Sequence, residues 1–259
     1  MKLGIVTYMI AAEWDLDTII KKCEELGYEG VELRTQHKHK VESNLTKKER
    51  EEVRKKFENS KVKLVGLGTI FEYHSPDKEV LEKNIEGTKE YVILAKDIGA
   101  EGIKVRPNAF PEGVPKEKTI EQIGKALREV SSFAYDYGIK IRLEVHGREI
   151  AKPVYIKQII DIADHPNCYV CWNSNMPDDL DETGSIEKNF NLLKDKIDIV
   201  HINELCNNYP WLELFRLLKS INFKNFCLAE ILSNPEPERF LRYYKVLFEA
   251  YLKLASVNF

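Results

Sequence analysis

Two carboxylates, two imidazoles and three carboxamides recur at the ends of four consecutive apolar segments in the second half of this chain. Glu144 and His146 close the run KIRLEVHG, Asn173 and Asn175 the run CYVCWNSN, and His201 and Asn203 lie in DIVHINEL. Glu230 follows Cys227, Leu228 and Ala229 in NFCLAEI. Residues two apart share one face of a strand, so each pair is expected to point the same way. A lone polar residue of this kind is more often a hydrogen-bonded core group than a functional one. Four successive segments doing it together favour a site. Burying carboxylates and imidazoles costs several kcal/mol unless they are paired or hold a cation. A divalent ion would offset that cost, and Glu, His, Glu and an amide oxygen form a suitable oxygen and nitrogen donor set.

Earlier segments add a second tier. Glu32 and Arg34 end GVELRT, Glu72 and His74 follow KLVGLGTI, and Lys104 and Arg106 lie in EGIKVRP. The cationic members suit sugar hydroxyls, a carboxylate or a phosphate. The competing reading pairs Glu32 with Arg34, Lys104 or Arg142 and makes the group charge-neutralising only. Trp14, Trp172 and Trp211 could stack on a sugar, although tryptophan more often packs a core. His37, His39 and His165 fall in loop or helix-end contexts and carry no signal.

These residues need elements to hold them. Eight short Val, Ile and Leu-rich runs, beginning near Lys2, Gly30, Lys63, Glu101, Lys140, Cys168, Asp198 and Asn225, alternate with segments of helical period. In DLDTIIKKCEELGY the apolar residues Leu16, Ile19, Ile20, Cys23 and Leu26 fall three or four apart, giving one buried helix face. Gly27, Gly99 and Gly138 stand where helices end, and Thr46 and Ser185 where they begin. Apolar strands each followed by an amphipathic helix imply a parallel sheet covered by helices. An open doubly wound sheet would need a glycine-rich phosphate loop, and neither GxGxxG nor GxxxxGK[ST] occurs. The expectation is an α/β protein, a (β/α)8 barrel forming one domain over 1–259, with the polar residues at the carboxyl ends of its strands.

Composition narrows the partners. A net charge of −3 gives no electrostatic reason to bind nucleic acid or a membrane surface. The basic residues from Lys47 to Lys56 are interleaved with Glu49, Glu51 and Glu52, as on a solvated helix face. No apolar run approaches the ~20 residues that span a bilayer. The start, MKLGIVTYMI, reads as a first strand and not as a signal peptide. Five cysteines without a framework rhythm fit reduced thiols in a cytoplasmic protein. Cys168 and Cys171, three apart in one strand, should face opposite ways and share no metal.

At GIVTY, YEGVELR, LEVHG, VHINE and CLAEI the chain resembles the xylose isomerase-like TIM-barrel superfamily. That superfamily includes sugar isomerases, ketose 3-epimerases, inosose dehydratases and endonuclease IV. The resemblance covers essentially the whole chain and rests on the order of the motifs. It implies a divalent metal (Mn, Mg, Co or Zn) held by Glu144, Asn173, His201 and Glu230. It also implies that Glu144 and Glu230 face each other and exchange a proton with a small-molecule sugar or polyol through an enediolate. His146 would orient Glu144 or bind a hydroxyl, and Asn175 and Asn203 would join the substrate contacts. Asn173 stands where the family usually has Asp, and Met176 where His is common. Ligand charge falls from −3 to −2, so weaker metal binding is expected. A catalytically inactive carbohydrate-binding barrel and a keto-polyol dehydratase are the alternatives to an isomerase or epimerase, and a homo-oligomer is left open. The nucleic-acid member is disfavoured, because the additional His and Asp ligands of its trinuclear site have no counterparts.

Overall fold

The computed structural model describes residues 1–257. Eight parallel strands form the wall: β1 (Lys2–Met9), β2 (Gly30–Arg34), β3 (Lys63–Glu72), β4 (Gly102–Arg106), β5 (Lys140–Glu144), β6 (Cys168–Asn173), β7 (Ile197–Ile202) and β8 (Phe226–Ile231). They pair in chain order, and β8 closes on β1, with Leu3 opposite Cys227 and Gly4 opposite Leu228. Closure leaves no unpaired edge. All eight expected strands are present within a residue of their expected starts.

A helix follows each strand: α1 (Leu16–Leu26), α2 (Lys47–Glu58), α3 (Lys78–Ile98), α4 (Lys116–Asp136), α5 (Pro153–Ala163), α6 (Glu187–Leu193), α7 (Trp211–Ser220) and α8 (Pro237–Leu254). The α1 start is capped by Asp15, which accepts from the Thr18 amide, and its buried face is Leu16, Ile19, Ile20, Cys23 and Leu26. Thr46 and Glu49 form a reciprocal capping box on α2. Ser185 acts one residue before the α6 cap, its hydroxyl accepting from the Glu187 amide. None of the described helices is long and apolar enough to cross a membrane.

The main core lies between helices and wall, and a smaller one of Val6, Val65, Cys171, Ile199, Phe226 and Leu228 fills the barrel. Cys168 belongs to the first and Cys171 to the second, so the two thiols do face opposite ways. Trp172 and Trp211 are fully buried and cannot stack on a ligand. The barrel floor contains a charge. Arg142 is wholly buried, donating from Nε to Asp198 Oδ2 at 2.7 Å and from Nη1 to the Val65 carbonyl at 2.8 Å. Gly66 and Gly102 make room for it, since a Cβ at either would stand within 3 Å of the guanidinium. Arg142 is thus neutralised by Asp198 and not by Glu32.

Candidate active site

Three of the strand runs stop earlier than the spacing of their polar pairs implies. β5 ends at Glu144, β6 at Asn173 and β7 at Ile202, so His146, Asn175 and Asn203 lie in the loops just beyond. Once the chain turns out of the sheet, period two no longer sets direction. Asn175 is held by its own contact, Nδ2 donating to the Val145 carbonyl at 2.5 Å. Asn203 donates to the Ser174 carbonyl at 2.9 Å. Both still reach the same cavity. It holds about 340 Å³ at the carboxyl end of the barrel, and its lining includes Arg34, Lys104, Arg106, Glu144, His146, Asn173 and Glu230.

Glu144 is the hub. Lys104 donates to its Oε2 at 2.7 Å, and both side chains are buried. Its Oε1 lies 3.2 Å from Asn173 Nδ2 and 3.2 Å from His201 Nδ1. Glu230 brings Oε2 to 3.5 Å from that same histidine nitrogen, so the two carboxylates meet at His201. The ring's other nitrogen, Nε2, sits 3.3 Å from Glu32 Oε1. Gly68 on the adjacent strand makes this possible, because a Cβ there would come within 2.7 Å of that oxygen. Glu32 is completely buried behind His201 and does not line the cavity. Its ion-pair partner is His201, with the Lys104 charge acting on it from farther away, and neither Arg34 nor Arg142 pairs with it.

The charges hold one another. Burial alone would raise Glu144, but Lys104 and His201 outweigh it and hold its carboxyl well below the usual range. Burial opposes charging of His201, yet Cys171, Glu32 and Glu230 keep its pKa well above the ordinary histidine value. Lys104 is likewise held up, against burial, by Glu144, Glu32 and Glu230.

The donor set fits a divalent ion. Ligating atoms 2.0–2.2 Å from a metal are about 3–3.5 Å from one another, the separations found from His201 Nδ1 to the two carboxylate oxygens. Glu144, His201 and Glu230 are the one group of such residues among those described whose ligand atoms all lie within 4.8 Å. Glu32 behind the imidazole supplies the carboxylate partner that metal-bound histidines commonly have. Asn173 presents its NH2 to Glu144, and turning the amide over presents oxygen at the same place.

At the rim, Glu72 joins Arg106 and accepts from Asn108 Nδ2 at 2.8 Å, while His74 lies beside it, 3.7 Å away and outside the cavity lining. Tyr8, Met9, Glu204 and Leu232 also line the cavity without having been singled out in the sequence. Their only signal was position, next to a strand's carboxyl end. His39, silent in the sequence, is buried and accepts from the Val41 amide at 3.0 Å. Its Nε2 donates to the Arg34 carbonyl at 2.8 Å.

A closed parallel barrel with titratable groups gathered at its carboxyl mouth is the architecture of a barrel enzyme. The chain belongs to the xylose isomerase-like TIM barrel family, whose model matches residues 20–245. Solved structures similar to it are sugar epimerases and related barrels. An L-ribulose 3-epimerase superposes with TM-score 0.83 at 14% identity, covering 98% of this chain and 95% of the other. D-Psicose 3-epimerase from Clostridium cellulolyticum H10, solved with D-tagatose, gives 0.81 at 15% identity, covering 97% and 99%. The IOLI protein with a bound zinc atom gives 0.79 at 18%, covering 98% of each. No curated protein matches the chain in sequence.

Proposed function

We propose that this protein is a divalent-metal-dependent isomerase or epimerase that moves a proton on the carbon beside a sugar carbonyl. The observation that carries this is the convergence of Glu144, His201 and Glu230 at the base of a polar cavity, with Glu230 the more accessible carboxylate. Glu144, His201, Glu230 and, through its amide oxygen, Asn173 would hold the ion. A bound divalent ion supplies Lewis-acid polarisation of the carbonyl. Both oxygens of Glu144 are engaged, by Lys104 on one side and by Asn173 and His201 on the other. Glu230 keeps an oxygen free for the cavity and is the stronger candidate to take the proton from carbon. Lys104 lines the cavity and gives one N–H to Glu144, leaving others to stabilise negative charge developing on the substrate oxygen. His146, Asn175 and Asn203 line the cavity and would orient hydroxyls.

The test is exchange of solvent deuterium into a panel of keto-sugars and polyols, followed by NMR with Mn²⁺ present. Glu230→Gln preserves shape and a metal-binding oxygen but not basicity, and should lose about 10²–10⁴-fold in exchange rate. Full exchange in that variant with metal retained would remove Glu230 as the base. A second reading, a carbohydrate-binding barrel without catalysis, is favoured by the Lys104–Glu144 pair, which neutralises one of the carboxylates without an ion. Metal analysis of the purified protein, together with sugar binding without exchange on any substrate, would establish it instead.

A further inference from the structure

Two carboxamides reach the cavity from loops: Asn175 between β6 and α6, and Asn203 between β7 and α7. Loops generally move more than the strands that carry them. Here both side chains are held by a chain of hydrogen bonds through residues that do not line the cavity. Its centre is Asp179, whose carboxyl is buried in the first loop. Oδ2 accepts from the Asn175 amide at 2.8 Å and from the Tyr209 hydroxyl at 2.7 Å, and Tyr209 belongs to the second loop. The Asp179 amide returns to the Asn175 carbonyl at 3.0 Å, closing a turn over 175–179. On the far side the Tyr209 amide donates to Asn207 Oδ1 at 2.9 Å, and Asn207 Nδ2 donates to Asn203 Oδ1 at 3.0 Å.

The network also sets which end of each amide is nitrogen. Asn207 Oδ1 receives two donors, the Tyr209 amide and Trp211 Nε1, so its nitrogen must point to Asn203. Asn203 therefore receives on oxygen and gives its nitrogen to the Ser174 carbonyl at 2.9 Å. Asn175 spends both N–H groups on the carbonyls of Val145 and Asn173, so it can offer a ligand only its oxygen. We infer that Asp179, Tyr209 and Asn207 are positioning residues, which hold the carboxamides of Asn175 and Asn203 in one orientation and so make this wall of the cavity discriminate sugars by the configuration of the hydroxyls facing it. A hydroxyl bonds well only in line with a fixed acceptor, so an epimer that turns it away loses that bond, about 3- to 10-fold in affinity. The discrimination rests on the sugar reading above; the hold on the carboxamides does not.

The experiment follows hydrogen exchange at side-chain NH2 groups by NMR on the full chain. Tyr209→Phe removes one hydroxyl that lies outside the cavity lining. It should speed exchange at both Asn175 and Asn203 about tenfold. Asn167, whose NH2 serves the Ser131 and Ile139 carbonyls elsewhere, should stay unchanged and so reports on overall stability. Asp179→Asn keeps an acceptor for both donors and should exchange within about threefold of wild type, whereas Asp179→Leu should behave as Tyr209→Phe does. Asn207→Ala should speed Asn203 more than Asn175. Wild type and Tyr209→Phe are then titrated calorimetrically with the four D-ketohexoses, which differ only at C3 and C4. Wild type should separate the best from the worst by about tenfold, and Tyr209→Phe should narrow that spread to about threefold or less. Unchanged exchange at Asn175 and Asn203 in Tyr209→Phe, or equal acceleration at Asn167, would overturn the positioning role. An equal spread in wild type and Tyr209→Phe would overturn the discrimination and leave the sugar reading standing. Binding of no ketohexose would remove the sugar reading and the discrimination with it, while the exchange result would still decide the hold on the carboxamides.

Discussion

Asn173 and Lys104 are the side chains that set this site's charge. Asn173 contributes an amide where an aspartate would add a negative charge, and Lys104 places an ammonium 2.7 Å from Glu144. With Glu32, Glu144 and Glu230 as anions and Lys104 as a cation, a divalent ion beside a neutral His201 brings the group close to electroneutrality. Asn173→Asp would then leave the metal-free site over-charged, with two carboxylates against each other at the Asn173–Glu144 contact. The variant should bind Mn²⁺ about tenfold or more tightly and show a larger metal-induced rise in melting temperature. Equal affinity in wild type and variant would mean that residue 173 is not a ligand.

Among the elements, the loop after β6 has its own anchor. Asp179 is fully buried there, accepting on Oδ2 from the Tyr209 hydroxyl at 2.7 Å and from the Asn175 amide at 2.8 Å. Tyr209 in turn accepts from Trp172 Nε1 at 3.1 Å, which ties the loop to the core of the barrel wall. The other carboxyl oxygen has no partner among the described residues. Burial therefore dominates over the two hydrogen bonds and pushes the carboxyl up to about 8. The folded chain binds this proton more tightly than the unfolded chain, whose carboxyl titrates near 4. The associated stability is present below about pH 4 and is lost as pH rises through about 8, on the order of a few kcal/mol in all. Asp179→Asn keeps an acceptor for Tyr209 and Asn175 but cannot ionise. Its melting temperature should decline less than that of wild type between pH 6 and pH 9. Parallel profiles would show that Asp179 does not titrate in that range. Asn175 lines the cavity, so the same titration also bears on one wall of the site.

At the scale of the whole molecule, the barrel has buried charged groups at both ends, Arg142 with Asp198 at one and Glu32, Lys104, Glu144 and His201 at the other, with the small apolar plug of Val6, Val65, Cys171, Ile199, Phe226 and Leu228 between. At the floor, Asp198 accepts from Arg142, from Lys140 at 2.6 Å and from Asn225 at 3.1 Å, joining strands β5 and β7 with the residue that precedes β8. In (β/α)8 barrels this end contributes stability and the carboxyl end holds the active site. Asp198→Asn should cost about 3–5 kcal/mol, because it removes the close counter-charge of the buried Arg142 guanidinium and leaves only Glu101, 3.9 Å away. Ligand affinity of the folded variant should stay unchanged, as checked by chemical denaturation alongside calorimetry. A loss of ligand binding at unchanged stability would contradict the division between floor and mouth.

The eight strands, their helices and the carboxyl-end placement of Glu144, Asn173, His201 and Glu230 were legible in the sequence, because apolar periodicity and chain order are local properties. Local spacing stopped being informative where the strands ended, so His146, Asn175 and Asn203 reach the cavity from loops whose direction is set by contacts with Val145 and Ser174. Pairing between distant residues was not legible either. Glu32 meets His201 across the barrel mouth, Arg142 meets Asp198 at the floor, and Lys104 meets Glu144 on the next strand. For Glu32 alone the sequence offered several bases, Arg34, Lys104 and Arg142, without separating them. Barrel closure decided the pairings, because strand register fixes which side chains share a layer, and glycines at 66, 68 and 102 open the space that Arg142 and Glu32 need. In the same way the sequence identified Arg34 as a cation near a strand end. Only the tertiary structure shows its guanidinium tied to Thr35 and lying over the Tyr8 ring at the cavity, since that depends on the neighbours the fold brings to it.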